Sequence, residues 1–203
     1  NDHANGASLF DRVLADLNVK DAVVATCEPS YRALCSGHFN DPPAEIALMY
    51  HVDEDCSGGP AVFPDGSTFR QVTASELEAS VEFGVAAIGG DPAWLREYFA
   101  ERIHGEELFG LWQSDALIAT GECRPRSLQS PYADVGMIVS PDQRGRGIAT
   151  NILRWLIQHC RDRQLTAICS TESGNLASQK AIERSGFVNY HRILEFSNER
   201  RTT

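Results

Sequence analysis

The residues best suited by type and spacing to chemistry lie in Val135-Gly-Met-Ile-Val-Ser-Pro-Asp-Gln-Arg-Gly-Arg-Gly-Ile-Ala-Thr150. A strand runs into Pro141, a glycine-bearing loop follows, and a helical period of apolar residues starts at once. Gly145 and Gly147 remove Cβ atoms where backbone must approach a ligand closely, and the amides of a helix start point outward. Together they make an anion site suited to a phosphate or pyrophosphate. Arg144 and Arg146 add fixed positive charge beside it. Taken alone, the loop equally reads as glycines of a tight β-α turn flanked by solvated arginines. Two other phosphate loops fit poorly. The chain has no Lys-Ser or Lys-Thr for a Walker loop, and Thr150 stands where a dinucleotide fingerprint needs its third glycine. Glu172 could stand for that fingerprint's ribose-binding acid, but too little chain follows it to complete a doubly wound sheet.

The elements that must position this loop are legible from periodicity and stop signals. Residues 7–19 carry Leu9, Phe10, Val13, Leu14 and Leu17 on one helical stripe, and 21–27 read as a strand. Residues 31–39 and 46–52 are short apolar runs of open type. The turn signals at 57–60 and 64–66 mark a boundary, giving an acidic N-terminal segment 1–65 and a second domain 66–203. In the second domain 68–72 is a strand. Thr73 with Glu76 makes a capping box for a helix from 74 to about 88. Asp91 and Pro92 open another helix to about 104. Strands at 108–112, 116–123 and 132–139 follow, then a helix over 147–163, a strand at 165–170, a helix over 175–185 and a closing strand at 187–196. The order β-α-α-β-β-β-α-β-α-β specifies an α/β class with an α+β mixed sheet.

At this point the sequence resembles the GNAT N-acetyltransferase superfamily. Its acyl-CoA loop pattern, Arg or Gln, two residues, Gly, one residue, Gly or Ala, is matched by Arg144, Gly147 and Ala149. Its second hallmark is matched after the next strand by Asn175, Ser178, Ala181, Ile182 and Ser185-Gly186-Phe187. The resemblance covers residues 68 to about 197 and implies the GNAT fold, with the N-terminal α/β segment as an extra. It implies acetyl-CoA as co-substrate, with no metal. The main chain of Met137, Ile138 and Val139 would pair with the pantetheine arm where two strands splay. The amides of Arg144, Gly145, Arg146, Gly147, Ile148 and Ala149 would hold the pyrophosphate. Asn175 would reach the pantetheine or acyl end, with Ser178 nearby; Asn175 after Gly174 also suits an ordinary helix cap.

The same resemblance implies direct attack of a primary amine on the thioester, with a general base, a backbone amide for the oxyanion, and a tyrosine acid. Glu122 and Asp134 are the base candidates, and either could instead be a salt-bridged edge residue. The usual tyrosine position holds Ile182, and Tyr190 and Tyr132 are the nearest hydroxyls in the sequence, so the acid is unassigned. The alternatives are an acyl-CoA sensor without turnover, and a nucleotide-binding regulatory domain.

Composition limits the partners. The 203 residues carry a net charge of −10, which disfavours a nucleic-acid surface. No apolar run approaches the ~18 residues of a membrane span. Residues 1–65 hold eleven acids and three bases, whereas 66–203 hold seventeen and fifteen; the acidic segment is either a solvated face or a steering field for a cationic acceptor. Cysteines 27, 35, 56, 123, 160 and 169 show no metal-binding spacing, and Cys160 and Cys169 sit in apolar periodic segments. That usage points to free thiols in a reducing, cytoplasmic setting, with a bridge among Cys27, Cys35 and Cys56 left open. The first residues lack both Met and a secretory signal pattern, which reads as a processed or trimmed N-terminus. Expected partners are acetyl-CoA and an amine acceptor, with the chain a monomer or homodimer.

Overall fold

The computed structural model describes residues 9–15, 20–39, 41–52 and 59–197. The helix expected over 7–19 is present over 9–15 (α1), its remainder lying outside the described residues, as do Cys56 and the turn at 57–58. Eight strands follow: β1 (Asp21–Ala25), β2 (Ala44–Val52), β3 (Ser67–Gln71), β4 (Leu108–Gln113), β5 (Ala116–Pro125), β6 (Tyr132–Val139), β7 (Thr166–Glu172) and β8 (Phe187–Ser197). The other helices are α2 (Pro29–His38), α3 (Leu77–Ile88), α4 (Pro92–His104), α5 (Ile148–Asp162) and α6 (Leu176–Ser185). The strands form one mixed sheet in the order β1-β8-β2-β7-β6-β5-β4-β3. The two runs of open type resolve into α2 and β2. Pro29 supplies the fixed φ of a first helical turn, and the run 44–52 finds strand neighbours that its own pattern could not announce. No helix among the described residues is long and apolar enough to cross a membrane.

The backbone divides into two compact units. One unit is residues 1–49, 170–175 and 189–203; the other is 50–169 and 176–188. In the first, β1 pairs antiparallel with β8 from Asp21↔Ser197 to Ala25↔Ile193. Leu14, Ala22, Val24, Cys35, Phe39 and Phe196 form its buried core. Arg192 meets the Glu45 carboxylate at 3.0 Å, and the Asn189 amide donates to the Met49 carbonyl at 3.0 Å. The acidic N-terminal segment therefore supplies strands that build the sheet around β8.

The second unit carries the loop. Strands β3 to β6 are consecutive antiparallel neighbours, and β6 pairs in parallel with β7. Alternation along β5 sends Gly121 and Cys123 to the α5 face and Glu122 to the α4 face. On the α3/α4 side, Val72, Val81, Leu95, Phe99 and Leu108 form the core. A Cβ on Gly84 would lie 2.9 Å from the Phe99 ring, so a glycine in mid-helix lets α3 and α4 come together. On the other face α5 buries Ile148, Ile152, Leu153, Leu156, Ile157 and Cys160, the stripe its 3.6-residue period specifies. Burial of each large side chain contributes roughly 1.5–3 kcal/mol, which fixes the helix whose first turn is the loop. The Cys123 and Cys160 sulfurs, one from β5 and one from α5, lie 3.5 Å apart as free thiols.

Both expected helix starts form. Asp91 accepts from the amides of Ala93 at 2.7 Å and Trp94 at 3.0 Å. Thr73 and Glu76 make a reciprocal capping box over a short 3-10 turn that leads into α3. Arg70 donates to both Glu76 oxygens, at 2.6 and 3.0 Å. That pairing, followed by the Thr73 donors, lowers the Glu76 carboxyl to about 2 from the ordinary 4.5, against partial desolvation. A carboxyl lowered in the folded state stabilises the protein above its unfolded pKa and loses that contribution as pH falls toward the folded value. Glu76→Gln keeps a neutral cap but loses the charge. The stability gap between wild type and Glu76→Gln, about 1 kcal/mol at most for so exposed a pair, is expected to be full above pH 4.5 and to vanish toward pH 2. Urea denaturation across that pH range reads it.

Candidate active site

The site begins where a pairing ends. β6 pairs with β7 only through Tyr132↔Thr166, Ala133↔Ala167 and Asp134↔Ile168. On its other side β6 stays paired with β5 as far as Ala119↔Val139. The stretch Val135–Val139 therefore has a strand on one side and none on the β7 side. Half of the main-chain N–H and C=O groups of such a stretch face the open side. An extended, amide-bearing chain can meet them as a strand would. Met137, Ile138 and Val139, the three residues expected to offer this edge, are all half-buried.

The open edge leads directly into the loop. Gly145 and Gly147 both have φ +79°, a left-handed conformation that costs a residue with a Cβ about 1–2 kcal/mol. Gly147 is the N-cap of α5. The amides of residues 145–149 donate to no backbone carbonyl among the described residues, while Asn151 closes the first helical hydrogen bond on Gly147 at 3.1 Å. These free donors, together with the positive end of α5, form an anion cradle. The arginines divide their roles. Arg144 donates to the Val139 carbonyl at 3.2 Å and the Ala87 carbonyl at 3.0 Å, tying the loop to the end of β6 and the last turn of α3. Arg146 is exposed and forms no ion pair among the described residues.

Glu122 faces α4 from β5, opposite Gly136 in the register, one residue inside the unpaired stretch. A Cβ on Gly136 would sit 2.6 Å from the Glu122 Oε1, so the carboxylate lies over that glycine's bare backbone. The Tyr98 hydroxyl from α4 donates to the other carboxylate oxygen. Burial first, and then the Glu122 charge, raise the Tyr98 phenol above its ordinary pKa, so it remains a donor. Trp94 stacks on Tyr98 at 5.1 Å, and the Arg102 guanidinium lies over the Tyr98 ring at 5.5 Å while bonding Glu107 at 2.6 Å. Burial raises the Glu107 carboxyl, with the arginines opposing it.

Asp134 is differently held. It pairs across the strands with Arg124, and its Oδ2 takes Arg124 at 3.1 Å and Arg126 at 3.2 Å. With both arginines on one oxygen it is an ion-paired residue of an interior strand, paired on both sides at this position. Glu122 has a longer approach of 3.9 Å from the Arg124 Nε.

The remaining expected residues are more scattered. Asn175 lies just before α6 with its amide on the Glu172 carbonyl at 3.0 Å, the position of a helix cap, and belongs to the first compact unit. Ser178 is half-buried in α6. Ile182 is 2% exposed and is core. Tyr132 and Tyr190 are both exposed. Sequence reasoning missed Tyr98, Gly136, Arg124 and Arg126. The alternation Glu122-x-Arg124 on one strand face, ahead of a glycine in the next strand, was the available signal.

Known proteins share this fold. The family model described as the acetyltransferase (GNAT) family matches residues 76–187. A GNAT-family acetyltransferase from Colwellia psychrerythraea is 36% identical over 96% of this chain and 72% of that one, with a TM-score of 0.86. A GCN5-related N-acetyltransferase from Sphaerobacter thermophilus is 18% identical over 89% of this chain, with a TM-score of 0.65. This chain spans 61% of the Sphaerobacter protein, less than two thirds of its length. The structure of yncA from Salmonella typhimurium, which includes its cofactor acetyl-CoA, is 14% identical over 68% of this chain and 98% of that one, with a TM-score of 0.51. The last two show the fold alone. No curated protein matches the sequence.

Tyr98→Phe removes one donor to an ionised carboxylate without changing shape. Such a bond is worth about 1.5–3 kcal/mol, and guanidinium unfolding is expected to show a loss of that size.

Proposed function

The chain belongs to the GNAT acetyltransferase family, and on that premise we propose that it transfers an acetyl group from acetyl-CoA to a primary amine of a small molecule or peptide by direct attack. The observation that carries this reading is the main-chain edge Val135–Val139, without a strand on the β7 side and closed at its last carbonyl by Arg144, followed by the free amides of residues 145–149. An amide-bearing arm ending in a pyrophosphate matches the two parts in order, with strand-like pairing first and an anion cradle second. Gly145 has nothing within 4 Å of the place its Cβ would take, so a phosphate can approach the backbone there. Met137, Ile138 and Val139 line the arm, and Arg146 adds charge beside the phosphates. Arg144 acts by holding the loop. Asn175 and Ser178 are assigned to the arm or acyl end on the family resemblance.

Acetyl-CoA supplies an activated thioester. The protein's tasks are to strip a proton from the amine, polarise the carbonyl and exclude water. Glu122 is the base of choice because its carboxylate lies over Gly136, at the start of the open edge, while Asp134 is neutralised by two arginines. An amine near this point gives its proton to Glu122, and a main-chain N–H of the open edge takes the growing negative charge on oxygen. With Ile182 in the core, no side chain is assigned to protonate the departing thiolate, and a thiolate is a good leaving group without help. The acyl-CoA sensor is the second reading, favoured by that same buried isoleucine. Free-thiol release with an amine panel separates the two, since a sensor releases none beyond background.

Gly147→Glu places a side chain and a negative charge in the cradle. It is expected to weaken acetyl-CoA binding at least about a hundredfold with the fold retained, as read by calorimetry and circular dichroism. Unchanged affinity would falsify the cradle assignment. Glu122→Gln is expected to lower kcat by about 10²–10⁴ while acetyl-CoA affinity holds. Should the Gln variant turn over normally, the base must be sought elsewhere.

A further inference from the structure

A cleft of about 590 Å³ lies at the end of β5, lined by Arg124, Arg126, Leu128, Gln129 and Asp134 among its walls, and its first wall residue, Arg124, stands two positions beyond Glu122 on the same strand. That size suits a small molecule. We propose that it binds the carboxylate of the acceptor, so that the substrate class is small amino acids carrying both a free amine and a free carboxylate. The inference rests on Glu122 as the point where the amine is deprotonated.

Charge and register support it together. Arg124 and Arg126 both reach the single Oδ2 of Asp134, at 3.1 and 3.2 Å, and Arg124 also approaches Glu122 at 3.9 Å, so two cations share two carboxylates. The Nε of Arg124 is buried 3.9 Å from the Glu122 carboxylate, with no hydrogen-bond partner among the described residues. Arg126 is half-exposed, and its guanidinium also makes a long 3.4 Å contact to the Gln129 side-chain oxygen. A guanidinium carries five donors in a planar fork that fits a carboxylate. When Glu122 takes up a proton from the amine, the cluster of Glu122, Arg124, Arg126 and Asp134 loses one negative charge. A bound monoanion restores the balance, and a dianion would overshoot it.

The spacing sets the class. Arg124 follows Glu122 by two residues on the same face of β5, opposite Asp134 where Glu122 is opposite Gly136. At ~3.3 Å per residue the anion point lies roughly 7 Å or less from the base. It lies toward the start of β6, away from the cradle that follows the end of β6. The arginines therefore do not serve the pyrophosphate. Leu128, 98% exposed on the short turn Ser127–Gln129, gives the rim an apolar contact for a side chain. A cationic peptide, the acceptor that acidic steering would favour, meets two arginines here.

The test uses the intact chain with acetyl-CoA and matched pairs: leucine, phenylalanine, lysine and glutamate, each against its own carboxamide. Thiol release gives kcat/KM for each, and calorimetry on the CoA-loaded protein gives affinity. At least one amino acid is expected to exceed its carboxamide by tenfold or more, although the carboxamide has the less protonated amine. In Arg126→Ala that ratio is expected to collapse toward one, and in Arg126→Lys to recover in part. Equal or higher use of the carboxamides overturns the proposal, as does a ratio unmoved by Arg126→Ala. Failure of all eight compounds to bind or react also overturns it. Acetyl-CoA binding, measured alone on the same samples, reports separately on the donor reading.

Discussion

The structure depends on one interruption in a hydrogen-bond ladder. β6 and β7 hold each other for three residue pairs, and then β6 continues with β5 alone. An interior strand with one side of its backbone unsatisfied is costly unless something meets it, since each buried unpaired amide or carbonyl loses about 1–3 kcal/mol. A cofactor that is itself a chain of amides can take the missing partner's place. Everything around the gap serves to hold it open in one shape. The α5 stripe locks the helix that follows the strand, and Arg144 fastens the intervening loop to β6 and α3.

The two faces of the sheet then have separate work. On the α5 face, packing is close enough that Gly121 cannot be replaced without meeting Ile152 at 2.7 Å. That density fixes the height of the helix start, and so the position of its free amides. On the α4 face the same strand presents Glu122 and Arg124, and polar contacts prevail. Tyr98, Arg102 and Glu107 hold one another and Glu122 through bonds to charged groups, each stronger than a neutral one. Placing rigid apolar packing behind the strand and adjustable polar chemistry in front lets one element serve both donor and acceptor.

Much of this was legible in the sequence because its causes are local. Asp91-Pro92 and Thr73 with Glu76 announce helix starts by bonds within three residues, and both form. The α5 stripe and the two loop glycines are equally local, and in the structure those glycines take a left-handed φ. What escaped notice depended on pairs distant along the chain. β1 finds its partner in β8, and Tyr98 finds Glu122 across the sheet face, with no spacing rule to join them. The acidic N-terminal segment read as an extension because charge and turn residues change near 65, whereas pairing, which composition does not encode, decides where its strands go. Asp134 and Glu122 looked alike as acids on neighbouring strands. Only the register separates them, by putting Asp134 opposite Arg124 and Glu122 opposite a glycine.

The partnership of β1 with β8 has a consequence for how the protein is made. Phe196 completes a core whose other members are Leu14, Ala22, Val24, Cys35 and Phe39. At ~5–20 residues per second, translation from Phe39 to Phe196 takes roughly ten to thirty seconds. Throughout that interval the nascent chain carries an unfinished apolar surface and a strand with no neighbour, the two features that invite chaperones and aggregation. The unit holding the anion cradle has most of its strands in hand earlier, so a ribosome-bound chain acquires its donor-side architecture before its two ends can meet.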